Sequence, residues 1–144
     1  MANRPASLYI VFTGPDPRKD RLQDVKRYPW SAPKDAKPGD MALFYFGGSG
    51  PGIRAVGRTA AKAEFGIPDA KWTDSTKGYF ARHTSIQTLR QPLSLKCIRE
   101  VFPDLGGWKA LRGVRVHIVP EIRRIPLAAP IGEANPDTRG LFAP

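Results

Sequence analysis

Residues 37–60, KPGDMALFYFGGSGPGIRAVGRTA, decide how this chain folds. Lys37-Pro38-Gly39-Asp40 reads as a type II turn, because proline presets φ at the first central position and glycine takes the positive φ of the second. Met41 to Phe46 is then a strand, Gly47 to Gly52 a glycine-rich tip, and Ile53 to Ala60 the returning strand of a hairpin. No Lys-Ser/Thr pair closes the glycine cluster and a strand follows it, so it reads as a hairpin tip rather than a phosphate loop. Alternation sends Phe44 and Phe46 to one side and Tyr45 to the other; one side must be core. Arg54, Arg58 and Lys62 lie multiples of two apart and share one basic face if the strand runs on that far.

Outward from the hairpin the pattern stays strand-rich. Ser7 to Thr13, SLYIVFT, is a buried strand stopped by Gly14-Pro15-Asp16-Pro17, and it is expected to sit centrally. Arg18 to Lys37 is a charged, proline-broken connection with Pro29-Trp30 in its middle. Gly78 to Gln91 offers a pair of strand-like stretches with imperfect alternation around Phe80, Ile86 and Leu89. Ser94 is a candidate N-cap for a helix carrying Leu95, Ile98, Val101 and Phe102 as its apolar stripe, ended by Pro103. Val114 to Val119 alternates as a last strand, with Arg115 and His117 pointing away from the core. From Ala128 onward no periodicity is visible, so residues 1–127 are expected to form the domain and residues 128–144 an arm, disordered or laid on the surface.

With 144 residues, 15 Pro and 14 Gly, the chain is the size of one domain and not a helical bundle. The 23 Lys and Arg against 13 Asp and Glu leave a formal charge of +10, which points to a polyanion, RNA or DNA, as partner. One cysteine excludes an internal disulfide and a zinc cluster, and the expected compartment is the cytoplasm. Cys97 reads as a structural residue of its helix rather than a nucleophile paired with His83 or His117. Neither histidine has metal-ligand spacing, and no metal or cofactor is expected. The longest apolar runs are too short to cross a membrane or to serve as a secretion signal. The acids form no local catalytic pair beyond Glu64 near Lys62, so no enzyme is expected.

Aromatic and cationic residues interleave around the hairpin, with Trp30, Phe44, Tyr45, Phe46, Trp72, Tyr79 and Phe80 among Lys34, Arg54, Arg58, Lys77 and Arg82. Such a mixture suits a base held between rings while cations hold its phosphates. The order Trp30-Ser31, then Lys37-Pro38-Gly39-Asp40-Met41-Ala42-Leu43-Phe44-Tyr45, Gly52-Ile53-Arg54-Ala55-Val56-Gly57, Trp72 and Pro92-Leu93-Ser94-Leu95 resembles the EVE domain family, small PUA-like pseudobarrels related to YTH and ASCH domains. The resemblance covers roughly residues 7–125. It implies an α+β fold, a PUA-like β-pseudobarrel with short helices, acting as a module that binds a flipped or unpaired, often modified, nucleobase in an aromatic cage beside a basic groove; apart from the resemblance, a monomer is expected. Carried onto this chain, the family's loop tryptophan and its neighbour are Trp30 and Ser31, and its F-Y strand is Phe44 and Tyr45. The chain departs from the family at Phe46-Gly47, where many members have a polar residue, and at Leu8-Tyr9-Ile10, where an aromatic pocket residue often lies.

The expected base-binding set is therefore Trp30, Ser31, Phe44, Tyr45, Phe46 and Trp72, and the phosphate-binding set Lys34, Arg54, Arg58, Lys62, Lys77 and Arg82. Two other readings stand beside it. One is a small ASCH-like amidohydrolase acting on a modified nucleoside; the other is a ribosome or RNP accessory protein that binds RNA by charge.

Overall fold

The computed structural model describes residues 7–12, 30–46, 51–66, 78–101 and 116–138. Five strands, β1 (Leu8–Phe12), β3 (Met41–Phe46), β4 (Gly52–Thr59), β7 (His83–Ser94) and β8 (Val116–Ile118), form a mixed sheet in the order β7-β4-β3-β1-β8. A smaller sheet has the order β2-β6-β5, from Trp30–Ser31, Gly78–Ala81 and Glu64–Gly66. Two helices, α1 (Leu95–Val101) and α2 (Glu121–Ala134), complete an α+β fold dominated by its sheets. No described helix is long and apolar enough to cross a membrane.

β1 is an interior strand, parallel to β3 and antiparallel to β8. Its position explains its composition. Leu8 and Ile10 enter one core with Met41, Leu43 and Tyr45, while Tyr9 and Val11 enter a second with Ala42, Phe44 and Phe46. The first core also takes Ile98 of α1 and Leu127 and Ile131 of α2; the second takes Trp30 and Ala81 of the small sheet. Both faces of β1 and β3 are thus buried, which is why LYIVF and MALFYF are continuous apolar runs. One side of MALFYF was expected to be core, and in this three-layer arrangement both sides are.

The hairpin of β3 and β4 pairs Met41 with Arg58 and Phe46 with Gly52, with a register shift between Phe44 and Tyr45. β4 pairs in turn with β7, with further shifts between Ile53 and Ala55 and between Val56 and Arg58. Ser85 has φ 52 and lies opposite the second shift, so the imperfect alternation of this stretch is a bulged edge strand. Pro92 falls where the first shift interrupts the pairing with β4, between the partners Thr88 and Leu93, so its missing N–H sits at an irregularity of the ladder.

Ser94 Oγ accepts the Cys97 N–H at 3.3 Å, the N-cap expected of it. Cys97 itself is exposed rather than packed. His117 is half-buried, and it is Ile118 that stands outward, 57% exposed.

The helix α2 corrects the domain boundary expected at residue 127. It runs through Ala134, and Ile131, Asn135 and Thr138 beyond that boundary are buried. Pro126 and Pro130 lie inside it, and each removes a donor from the carbonyl four residues earlier. Those carbonyls belong to Ile122 and Pro126, both on the exposed side, where water can take the place of the lost N–H. Asn135 then docks the segment: its amide donates to the carbonyls of Gln91 (2.9 Å) and Ile131 (3.1 Å) and accepts the Gln91 N–H (2.9 Å). It meets both backbone groups of one β7 residue as a neighbouring strand would.

Candidate nucleic-acid interface

The turn at residues 37–40 forms as expected. Asp40 N–H donates to the Lys37 carbonyl at 3.1 Å, and Gly39 has φ 94. The buried Asp40 carboxyl accepts the Ser7 N–H (3.0 Å) and the Lys37 N–H (3.1 Å), tying the turn to β1. Gly39 N–H donates to the Thr59 carbonyl and Thr59 N–H to the Asp40 carbonyl, so the turn is laid against the end of β4. The Arg58 guanidinium reaches the Gly39 carbonyl at 3.3 Å. Two more backbone bonds, Ala63 N–H to the Ala36 carbonyl and Ala60 N–H to the Arg82 carbonyl, bring in the neighbouring segments.

The consequence is a basic rim at this end of the molecule. It contains Lys34, Lys62 and Arg82, all exposed, and Lys37 and Arg58, both half-buried. Asp35 and Glu64 are the exposed acids of the same segments. The rim differs from the predicted stripe in two respects. β4 ends at Thr59, so Lys62 reaches the rim through the connection that follows and not by strand alternation. Arg54 lies at the other end of β4, against the start of α1. Lys37 was not in the expected set, although it occupies the same turn motif that located the strand. Lys77 and Trp72 lie outside the described residues.

Beneath the rim is a buried polar cluster that the sequence reading did not identify. The Tyr9 hydroxyl lies 2.6 Å from Thr59 Oγ1 and 2.7 Å from His83 Nε2. Burial drives the His83 pKa down to about 4, so the imidazole is neutral. Burial likewise raises the Tyr9 pKa; the Thr59 hydrogen bond opposes that rise and the nearby Asp40 adds to it. His83 Nδ1 is buried with no hydrogen-bond partner, and the Phe44 ring meets the imidazole edge-on at 5.2 Å. Cys97 is on α1, across the large sheet from this cluster, so the two do not make a thiol and base.

The expected cage divides between the two cores. Trp30, Phe44 and Phe46 share the core between the sheets, while Tyr45 is on the opposite face, packed against Phe12 with ring centroids 5.3 Å apart. Trp30 pairs with Ala81 and is 2% exposed; Phe44 is fully buried, and Ser31 is buried as well. These rings are packed by the protein's own side chains. Among the described residues the exposed aromatic surface is elsewhere: Phe65 of β5 is 63% exposed and meets the half-buried Tyr79 ring at 5.3 Å. This pair sits on the small sheet, three residues along the chain from Lys62. Period-2 pattern over a three-residue strand is too short a signal to have revealed Phe65 as an outward ring.

Among the described residues no group of three His, Cys, Asp or Glu side chains could hold a metal ion. Lys62 and Glu64, the pair a hydrolytic reading would use, are both exposed.

No protein-family model matches this chain, and no curated protein does. Solved structures do. A hypothetical protein from Leishmania major aligns at 17% identity over 90% of this chain and 98% of that one, with a TM-score of 0.60. Protein Atu2648 from Agrobacterium tumefaciens aligns at 17% identity over 91% and 97%, with a TM-score of 0.56. The NMR structure of Rpa0253 from Rhodopseudomonas palustris aligns at 14% identity over 89% and 94%, with a TM-score of 0.55. At such identities the likeness is one of fold alone, and it extends over nearly the full length of each of these chains.

Proposed function

We propose that this chain is a PUA-like module of the EVE kind that binds RNA or DNA without catalysis. Phosphates lie along Lys34, Lys37, Arg58, Lys62 and Arg82, and an unpaired, modified base meets the protein's rings. The observation that carries this reading is the basic rim, gathered by backbone hydrogen bonds from three separate segments, in a chain of charge +10. Cations assembled in this way attract a polyphosphate backbone and release its counterions.

Two ring surfaces are available to the base. Phe65 and Tyr79 offer an exposed face beside the rim. Trp30 and Phe44 are packed in the core beside His83, whose Nδ1 is unsatisfied, and a base reaches them only if the small sheet opens. β2 is two residues long and pairs only with β6 among the described strands, so few backbone bonds hold it. The 2% exposure of Trp30 favours a second reading, in which an RNP accessory protein holds RNA by charge and surface stacking alone.

Fluorescence anisotropy with modified and unmodified oligonucleotides at two salt concentrations tests the reading; absence of binding to all of them ends it. A base–ring stack contributes about 1–3 kcal/mol. Loss of that amount in Phe65→Ala with Trp30→Phe unaffected places the base on the outer pair, and the converse places it between the sheets.

A further inference from the structure

Helix α2 is apolar on two faces. One stripe, Leu127 and Ile131, is buried in the first core. The other, Ile122, Ile125, Pro126 and Ala129, lies at i, i+3, i+4 and i+7 and is exposed. Ile122 is 84% exposed and Ile125 78%, the two most exposed large apolar side chains among the described residues. Ile118, at the end of β8 that leads into the helix, adds a third at 57%. A single exposed isoleucine is ordinary on a protein surface. Two of them one turn apart on one stripe form a seam of the kind that helices bury against each other.

Charge and backbone chemistry narrow what covers this seam. The chain carries +10, but α2 holds Glu121 and Glu133 against Arg123 and Arg124 and is neutral. Its exposed charges are the two carboxylates, and both arginines are half-buried. Two copies of a strongly basic chain therefore repel least when they meet here. Hydrocarbon is a poor match: Pro126 and Pro130 leave the carbonyls of Ile122 and Pro126 without helix donors on this side, and lipid tails have none to give. The seam is also its own complement. About a two-fold axis between these isoleucines, antiparallel copies of α2 set Ile122 of each copy against Ile125 of the other. Ala129, with its small side chain, leaves room for the close approach.

We propose that a second copy of this chain docks on α2, forming a reversible two-fold dimer through the seam of Ile122, Ile125, Pro126 and Ala129. The helix has 14 residues and is therefore about 21 Å long. A contact of that length belongs with the small, transient interfaces below about 1,200 Å². The expected monomer thus prevails in dilute solution, and the dimer forms as concentration rises. The rim residues are on other segments, and the proposal does not depend on their binding nucleic acid.

The test is sedimentation equilibrium of the full chain at concentrations reaching the millimolar range. The mean mass is expected to rise from the 15.9 kDa of the monomer toward twice that value. Added salt is expected to raise it further, because salt screens the repulsion between two copies of charge +10. Oligonucleotide binding responds to salt in the opposite sense. The double substitution Ile122→Asp, Ile125→Asp is expected to weaken association at least ten-fold with an unchanged unfolding temperature, both side chains being exposed. In a Cys97→Ser background, Ile122→Cys chains mixed with Ile125→Cys chains are expected to form disulfide-linked dimers faster than either variant alone, as the antiparallel register requires. A mass of 15.9 kDa at every concentration and salt overturns the proposal. So does undiminished association in the double Asp variant, or equal cross-linking in the mixture and in the single variants. Cosedimentation of a wild-type monomer with phosphatidylserine vesicles, abolished in the double Asp variant, makes lipid the occupant and overturns it as well.

Discussion

Single residues hold the close approaches in this fold. Gly52 sits where β4 meets the end of β7, and a methyl group placed there would press on the Leu93 carbonyl, a backbone atom that cannot turn aside. Gly52→Ala is therefore expected to cost about 2–3 kcal/mol, measured by denaturant unfolding. Gly39 makes a different demand: nothing lies within 4 Å of its missing Cβ, but its φ of 94 is strained for any other residue. His83 adds a dependence on pH. Its ordinary pKa of 6.5 falls to about 4 in the folded protein, so between those values the unfolded chain takes up a proton that the folded one resists. Its stabilising contribution is fully present above pH 6.5 and is lost as pH falls toward 4. The wild type is expected to lose on the order of 3 kcal/mol across that window from this group. His83→Phe, compared at pH 7 and pH 4.5 by chemical denaturation, is expected to show a smaller difference; an unchanged difference removes His83 as the cause.

At the scale of elements, the C-terminal segment closes the large sheet. β7 is an edge strand, and Asn135 occupies its outer backbone groups at Gln91 while Gln87 donates to Asp137 at 2.6 Å. An edge capped in this way does not present those groups to another chain. Asn135→Leu removes three hydrogen bonds and puts an apolar side chain against the part-buried Gln91 N–H and carbonyl that had been paired. The expected loss is about 2–3 kcal/mol by thermal or chemical unfolding. Helix α2 was not legible beforehand because its two internal prolines argue against any helix, and its hydrophobic stripe of Leu127 and Ile131 is too short to announce one. Packing against the first core supplies what propensity withholds. The hairpin was legible, since turn chemistry, apolar run and return strand are consecutive in sequence and each restrains the next.

For the whole molecule, charge makes the clearest prediction. Oligonucleotide affinity is expected to fall linearly with the logarithm of salt concentration, and each cation removed from contact lowers the slope by about 0.7 for a single strand. The double substitution Lys34→Gln, Lys62→Gln is thus expected to reduce the slope by about 1.4 with little effect on stability, both side chains being exposed. An unchanged slope in a properly folded double variant takes these two residues out of the interface. Composition already carried the sign of this field. Which cations act together was another matter, because Lys34, Lys62 and Arg82 come from three segments that tertiary hydrogen bonds at Ala36, Thr59 and Ala60 bring together.

The amino-acid sequence by itself determined the strands of the large sheet, the type II turn, the N-cap at Ser94 and the excess positive charge, because each depends on neighbours a few residues apart. The tertiary structure alone decided the rest. It buried Trp30 and Phe44 between two sheets, set Tyr45 on the opposite face, exposed Phe65 and sent Arg54 and Arg58 to opposite ends of one strand. Burial is a property of what lies across the sheet. No local pattern records whether the second face of an apolar strand will be covered or left to meet a ligand.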